Sequence, residues 1–232
     1  MKAIKHIEIK KGISVNELVK EMESSGVMGA GAIAKAANVF EKMIKDKECK
    51  VYLGMAGAMV PGGMKNIVID MVKNKLIDVF VTTGANLTHD LIEGLGHKHY
   101  QGDANADDAE LNKKGIYRMY NSYMKNNVYE DLEDFFDKNY SVLSKCKNIK
   151  ELLSKLGELS PEGTILNSCF KNNVPVFCPS LADSGIGLII WGRIVQGKEF
   201  DAKAFDDLKD IIEIAWTSKK NGVIYLGGGV PK

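Results

Sequence analysis

Four short apolar runs, each broken off by a cluster of small residues, set the tightest limit on what this chain can fold into. They lie at residues 51–56, 77–81, 174–177 and 223–226. The clusters that follow them are 57–63, 82–86, 180–187 and the triple glycine Gly227-Gly228-Gly229. Short runs without polar alternation are the pattern of strands buried on both faces, which belong to a parallel sheet covered by helices. The segments between them carry helical periodicity, so the expected fold class is α/β, a Rossmann-like, open, mostly parallel sheet with helices on both faces. In such a sheet the loops at the C-terminal strand ends share one edge, where ligands bind.

The helices are expected at 14–24, 32–44, 64–75, 87–95, 129–143, 149–159, 188–194 and 202–219, with a further one opened by Ser160-Pro161-Glu162 and running to about residue 172. Ser14 followed by Glu17 is a capping-box pattern. Ile33, Ala36, Ala37, Phe40 and Met43 make one apolar helical face, while Gly26, Gly29 and Gly31 read as an interruption before it. This divides the chain into a helical annex, 1–45, and an α/β domain, 46–232. Residues 96–127 are polar and turn-rich and read as an insertion over one end of the sheet, with an exposed loop at 102–108. Trp191 and Trp216 fall on apolar helical faces and read as core.

Composition narrows the class of function. The chain has 232 residues and a formal net charge of +1, which gives no electrostatic ground for a nucleic acid or an anionic membrane as partner. No apolar run approaches the ~18 residues of a membrane span, and the first six residues lack the apolar core of a secretory signal. A cytoplasmic location is expected. Cys49, Cys146, Cys169 and Cys178 are scattered with no C-x-x-C pair, so they read as structural. No Ser/His/Asp pattern is present, and His97 and His99, with His89 nearby, lack a third ligand and read as surface residues; no metal site is expected.

Small residues let backbone N–H groups approach a phosphate, so four such loops on one edge favour a dinucleotide or phosphate ligand. The ordinary G-x-G-x-x-G fingerprint is absent. Asp183, in the third loop, either accepts from ribose hydroxyls or a cationic nitrogen, or caps the helix that follows.

Four segments, YLGMAGAMVPGGM (52–64), DVFVTTGANLTHD (78–90), NNVPVFCPSLAD (172–183) and LGGGVPK (226–232), resemble the deoxyhypusine synthase family, with similarity from about Ser14 to Lys232. The resemblance implies a Rossmann-type tetramer with sites at subunit interfaces. It implies NAD as cofactor, spermidine or a related polyamine as substrate, and a lysine of translation initiation factor 5A or a free polyamine as acceptor. By position it places NAD against Gly57, Ala58, Met59, Val60, Pro61, Thr83, Gly84, Ala85, His89, Asp183 and Gly228. It places the amine against Thr88, His89 and Leu188. The implied chemistry is hydride transfer from spermidine, imine formation on an enzyme lysine and transfer to the acceptor.

Three positions depart from the family pattern. The imine-forming lysine belongs to a segment beyond the triple glycine, and Lys232 is not its equivalent, so no catalytic residue is assigned; a longer native chain or a completing partner is expected. Leu188 stands where the resemblance implies a carboxylate gripping an ammonium, a contact worth about 1.5–3 kcal/mol. Thr88 and His89 replace a pair of acids. These changes resemble the prokaryotic branch, where other amines are handled. Two further readings stay open: an inactive subunit that completes a site in a hetero-oligomer with an active paralogue, and an amidine hydrolase such as an agmatinase on the same fold.

Overall fold

Ser14 opens the first helix by reciprocal hydrogen bonds. In the computed structural model, which describes residues 1–232, its Oγ accepts from Glu17 N at 3.2 Å while the Glu17 carboxylate accepts from Ser14 N at 2.8 Å. The helix, α1 (Val15–Ser25), ends at Gly26 in the left-handed region, φ 69°. The chain divides into two compact units, Met1–Cys49 and Lys50–Lys232. In the first, α1 packs on α2 (Met28–Lys45), which starts earlier than the expected residue 32. Of the three glycines read as an interruption, Gly26 ends α1, while Gly29 and Gly31 lie inside α2. A Cβ on Gly31 would lie 2.6 Å from Gly26 O, so the small residue is what lets the turn pack on itself.

The second unit is built on the expected sheet. Its strands are β1 (Cys49–Met55), β2 (Val79–Thr82), β6 (Val176–Phe177) and β7 (Lys220–Leu226), in the order β6-β2-β1-β7. Tyr52 pairs with Val79 and Gly54 with Val81, and Phe80 pairs with Val176, all parallel. Because side chains alternate along a strand, Tyr52, Val79, Val81 and Phe177 form one buried cluster, covered by Ile211, Ile214 and Ala215 of α10 (Ala204–Thr217). Leu53, Met55 and Phe80 are fully buried on the other face. Fully burying a side chain of this kind contributes roughly 1.5–3 kcal/mol, which is why both faces need helices.

Between β1 and β2 runs α3 (Lys65–Lys73), and after β2 comes α4 (Gly84–Gly94), whose residues Leu87, Leu91 and Ile92 have no exposure. The segment read as a polar insertion with an exposed loop is more ordered than its composition suggests. It holds β3 (Tyr100–Gln101), α5 (Asp108–Lys113), β4 (Ile116–Met119) and β5 (Ser122–Lys125). The strands form a separate antiparallel sheet in the order β3-β5-β4. Asp107 caps α5, accepting from Ala109 N and Glu110 N, so much of the polarity of this stretch is turn and cap chemistry.

After α6 (Val128–Leu143) and α7 (Ile149–Leu159), α8 (Ile165–Lys171) starts at a Thr164 cap and not at Ser160. Its entry is fixed from outside: the buried Asp90 carboxylate accepts from Ile165 N at 2.9 Å and Leu166 N at 3.2 Å. The remaining helix is α9 (Gly185–Val195), which begins before the expected residue 188.

Both tryptophans read as core are surface residues, Trp191 at 61% and Trp216 at 85% exposure. The reason is helix phase. α9 buries Ile186, Ile189, Ile190 and Arg193, which leaves Leu188, Trp191 and Val195 along the opposite stripe. On α10, Ile211, Ile214 and Ala215 face the sheet, and Trp216 falls outside that stripe.

Candidate functional site

The ends of β1, β2, β6 and β7 bring the four small-residue loops to one edge. Thr82 Oγ1 donates to Met55 O at 2.9 Å, and Ala56 N donates to Leu226 O at 2.9 Å, tying the β2 and β7 ends to the β1 end. Asn86, buried in the first turn of α4, reaches back to the first loop: its Oδ1 accepts from Val60 N at 3.2 Å, and its Nδ2 donates to Thr83 Oγ1 at 3.2 Å. Gly57 and Gly227 both have positive φ, 77° and 79°, and a Cβ on Gly227 would lie 3.0 Å from Ala56 O.

The positions implied for a cofactor are thereby gathered. Gly57, Ala58 and Gly228 are exposed along this edge, Met59 is half-buried, and Val60 and Pro61 lie beneath. Thr83 caps α4, accepting from Asn86 N at 3.3 Å, and Leu87 N donates to Thr83 O. That leaves the N–H groups of Gly84 and Ala85 in the first helical turn without a partner in the helix. Asp183 is exposed two residues before α9, and the cap of that helix is Ser184, whose Oγ accepts from Gly187 N at 3.1 Å. The capping alternative for Asp183 is therefore excluded, and its carboxylate is free for other contacts.

Thr88, His89 and Leu188 lie to one side. Thr88 is buried with its hydroxyl engaged, donating to Gly84 O at 2.9 Å and accepting from Ile186 N at 3.2 Å, so it joins α4 to α9. His89 and Leu188 line a cavity of about 770 Å³ together with Tyr117, Tyr129, Trp191 and Arg193. Arg193 forks onto Asp137, with Nε to Oδ1 at 2.7 Å and Nη2 to Oδ2 at 2.9 Å. Those bonds hold the Asp137 carboxyl below its usual range.

Behind His89 stands a row of polar groups that pattern reading missed. His89 Nδ1 is 3.0 Å from His99 Nε2, His99 Nδ1 is 2.7 Å from Glu93 Oε1, and Glu93 Oε2 is 2.5 Å from Lys65 Nζ. Burial, reinforced by the neighbouring His99, pushes the His89 pKa down to about 4, so its ring is neutral at pH 7. Burial raises Glu93, but the His99 and Lys65 hydrogen bonds and the Lys65 charge outweigh it and leave the carboxyl below its ordinary value. One signal for this row was present in the sequence, since His89 and Glu93 are four apart on α4 and share a face. His99, read as a surface residue, has a side chain only 6% exposed; His97 instead pairs with Asp131 at 2.7 Å.

The deoxyhypusine synthase family model matches residues 17–232, taking in all four loops and the cavity wall. This chain belongs to the deoxyhypusine synthase family. A protein of Methanosarcina thermophila described as a probable deoxyhypusine synthase is 38% identical over 231 residues, covering 99% of this chain and 72% of that one. One of Methanothermobacter thermautotrophicus with the same description is 34% identical over 233 residues, covering 99% of this chain and 75% of that one. Among solved structures, a candidate deoxyhypusine synthase from Entamoeba histolytica superposes with a TM-score of 0.70 at 24% identity, covering 97% of this chain and 82% of that one. That likeness supports the fold. In this family member, no helix is long and apolar enough to cross a membrane.

Proposed function

We propose that this deoxyhypusine synthase-like protein uses NAD in transferring an aminobutyl group from spermidine or a related polyamine to an amine acceptor, either a lysine of translation initiation factor 5A or a free polyamine. The observation that carries the reading is the meeting of four small-residue loops at one sheet edge, with the first turn of α4 opening onto it. Backbone there can come close to a pyrophosphate, because Gly57, Gly84 and Gly228 have no side chain to hold it off. Gly57, Ala58, Met59, Val60 and Pro61 would form one wall, Thr83, Gly84 and Ala85 the helix end, and Gly228 the far side. Asp183, exposed and not engaged as a cap, would accept from ribose hydroxyls.

NAD, when bound, supplies a hydride acceptor. This chain's own residues would supply the amine pocket: His89 and Leu188 line the cavity beside that edge, and Tyr117, Tyr129 and Trp191 offer aromatic faces to a cation. The exposed apolar stripe Leu188, Trp191 and Val195, with Phe205, Leu208 and Trp216 elsewhere, supports assembly into a homo-oligomer, a tetramer by family likeness. A cytoplasmic location accords with that reading.

The test is to incubate the protein as its source makes it with NAD, a panel of polyamines and either acceptor, and to follow aminobutyl transfer by mass spectrometry. NAD-dependent transfer from at least one polyamine is expected. Polyamine consumption that proceeds equally without NAD would overturn the reading.

A further inference from the structure

We propose that His89, His99, Glu93 and Lys65 form a proton relay that opens on the 770 Å³ cavity at His89 Nε2 and takes a proton from a bound ammonium group. The inference rests on the amine-substrate reading above and adds to it the residues that handle the proton.

The Glu93 carboxylate fixes the direction of the first hydrogen bonds in the row. The Glu93 carboxylate only accepts, and it accepts from Lys65 on one oxygen, so His99 Nδ1 must carry the proton that meets the other oxygen. In the proposed resting state each ring carries one proton, so His99 Nε2 accepts and His89 Nδ1 donates across the 3.0 Å contact. His89 Nε2 is then an unprotonated nitrogen on a ring that lines the cavity, the contact of that ring with His99 being made through Nδ1. An unprotonated nitrogen there attracts an ammonium N–H.

The same geometry says where the proton goes. When an ammonium gives its proton to His89 Nε2, the Nδ1 proton of His89 passes to His99 Nε2. His89 ends neutral with its proton on Nε2, and His99 becomes an imidazolium paired with Glu93. The substrate nitrogen keeps its bonding electrons as a lone pair. One N–H bond breaks at the substrate and one forms at His89; one breaks at His89 Nδ1 and one forms at His99. Charge is never lodged on His89, where burial opposes it, but on His99, beside a carboxylate.

The other charged and titratable groups around the cavity are already committed or lie across it. Arg118 on β4 pairs with Asp108, Arg193 on α9 pairs with Asp137 and lies 3.6 Å from Glu133 of α6, and Tyr129, also of α6, is raised by burial. Asp90 on α4 faces Ile165 N and Leu166 N, away from this row. None of these gives a competing acceptor to the His89 ring.

The test is long-range proton–nitrogen correlation NMR on the protein with ¹⁵N-labelled histidine. Only His6, His89, His97 and His99 contribute, and H6Q and H97Q resolve the assignment. At pH 7 both His89 and His99 are expected neutral with the proton on Nδ1. Spermidine is then expected to move the His89 proton to Nε2 and to leave His99 protonated on both nitrogens. A resting His89 with its proton on Nε2 overturns the relay whatever the activity. Spermidine that binds by calorimetry without changing either ring overturns it as well. Absence of spermidine binding overturns the amine reading instead, and the resting spectrum still decides the hydrogen-bond order. In turnover, E93Q should lower kcat at pH 7 about 100-fold with little change in KM, the low end of what acid–base catalysis supplies, and the deficit should shrink toward pH 10 as the amine sheds its own proton. A deficit constant across pH would assign Glu93 a structural role only.

Discussion

A Cβ built on Gly84 would lie 2.5 Å from Ser184 Oγ and 2.6 Å from Ser184 Cβ, so the first turn of α4 and the loop before α9 meet at a contact only glycine permits. The contact sets the spacing of two of the four loops at the candidate cofactor edge.

Gly84→Ala should therefore destabilise the protein by about 1–3 kcal/mol, the usual cost of overpacking, and weaken any ligand held by these loops. Gly29→Ala in α2, where a Cβ meets nothing within 4 Å, should be neutral or stabilising. Denaturant midpoints of the two variants check the contrast; equal losses would show that the contact at Ser184 relaxes freely.

Asp90 makes stability depend on pH in one direction. Burial raises its pKa to about 7, against which the N–H groups of Ile165 and Leu166 pull down. Between about pH 4 and 7 the native protein keeps a proton that the unfolded chain has released, so this group's contribution falls as pH rises, by a total on the order of 4 kcal/mol. Asp90→Asn cannot titrate. The stability of wild type relative to that variant should decrease from pH 4 to pH 7, and a constant difference would contradict the assignment.

His89 acts in the same window with opposite sign. Its pKa is lowered to about 4, so below its unfolded value near 6.5 the unfolded chain takes up a proton first. The stability it contributes is complete above pH 6.5 and is lost as pH falls toward 4, by up to about 3 kcal/mol. Relative to His89→Gln, wild type should become less stable on acidification. Because the two groups oppose each other, the single variants separate what the wild-type profile conceals.

Much of this was legible in advance. Unalternated apolar runs ending in small residues identified β1, β2, β6 and β7, and the Ser14/Glu17 box located α1. What pattern reading could not reach were relations between distant segments. Asp90 starting α8 joins residues 75 positions apart, and His99 meeting His89 depends on a chain reversal after α4. Trp191 failed for a different reason: α9 is apolar on both faces, so hydropathy alone cannot say which stripe is buried.

Leu188 offers a gain-of-function test. It is 63% exposed and lines the cavity, so an acid fits there without burial. Leu188→Asp should tighten spermidine binding about tenfold at low salt, equivalent to ~1.4 kcal/mol, with the gain shrinking as salt screens it. Calorimetric titration at two ionic strengths reads both effects, and unchanged affinity would place the ammonium elsewhere.

The central claim is that the sheet edge formed by the four loops holds NAD. Isothermal titration of NAD into the protein purified from its source, beside Asp183→Ala, tests it most directly. The account predicts saturable binding to wild type and affinity at least fivefold weaker in the variant, the loss of about one hydrogen bond to a charged group. No heat of binding to the wild-type protein would contradict it.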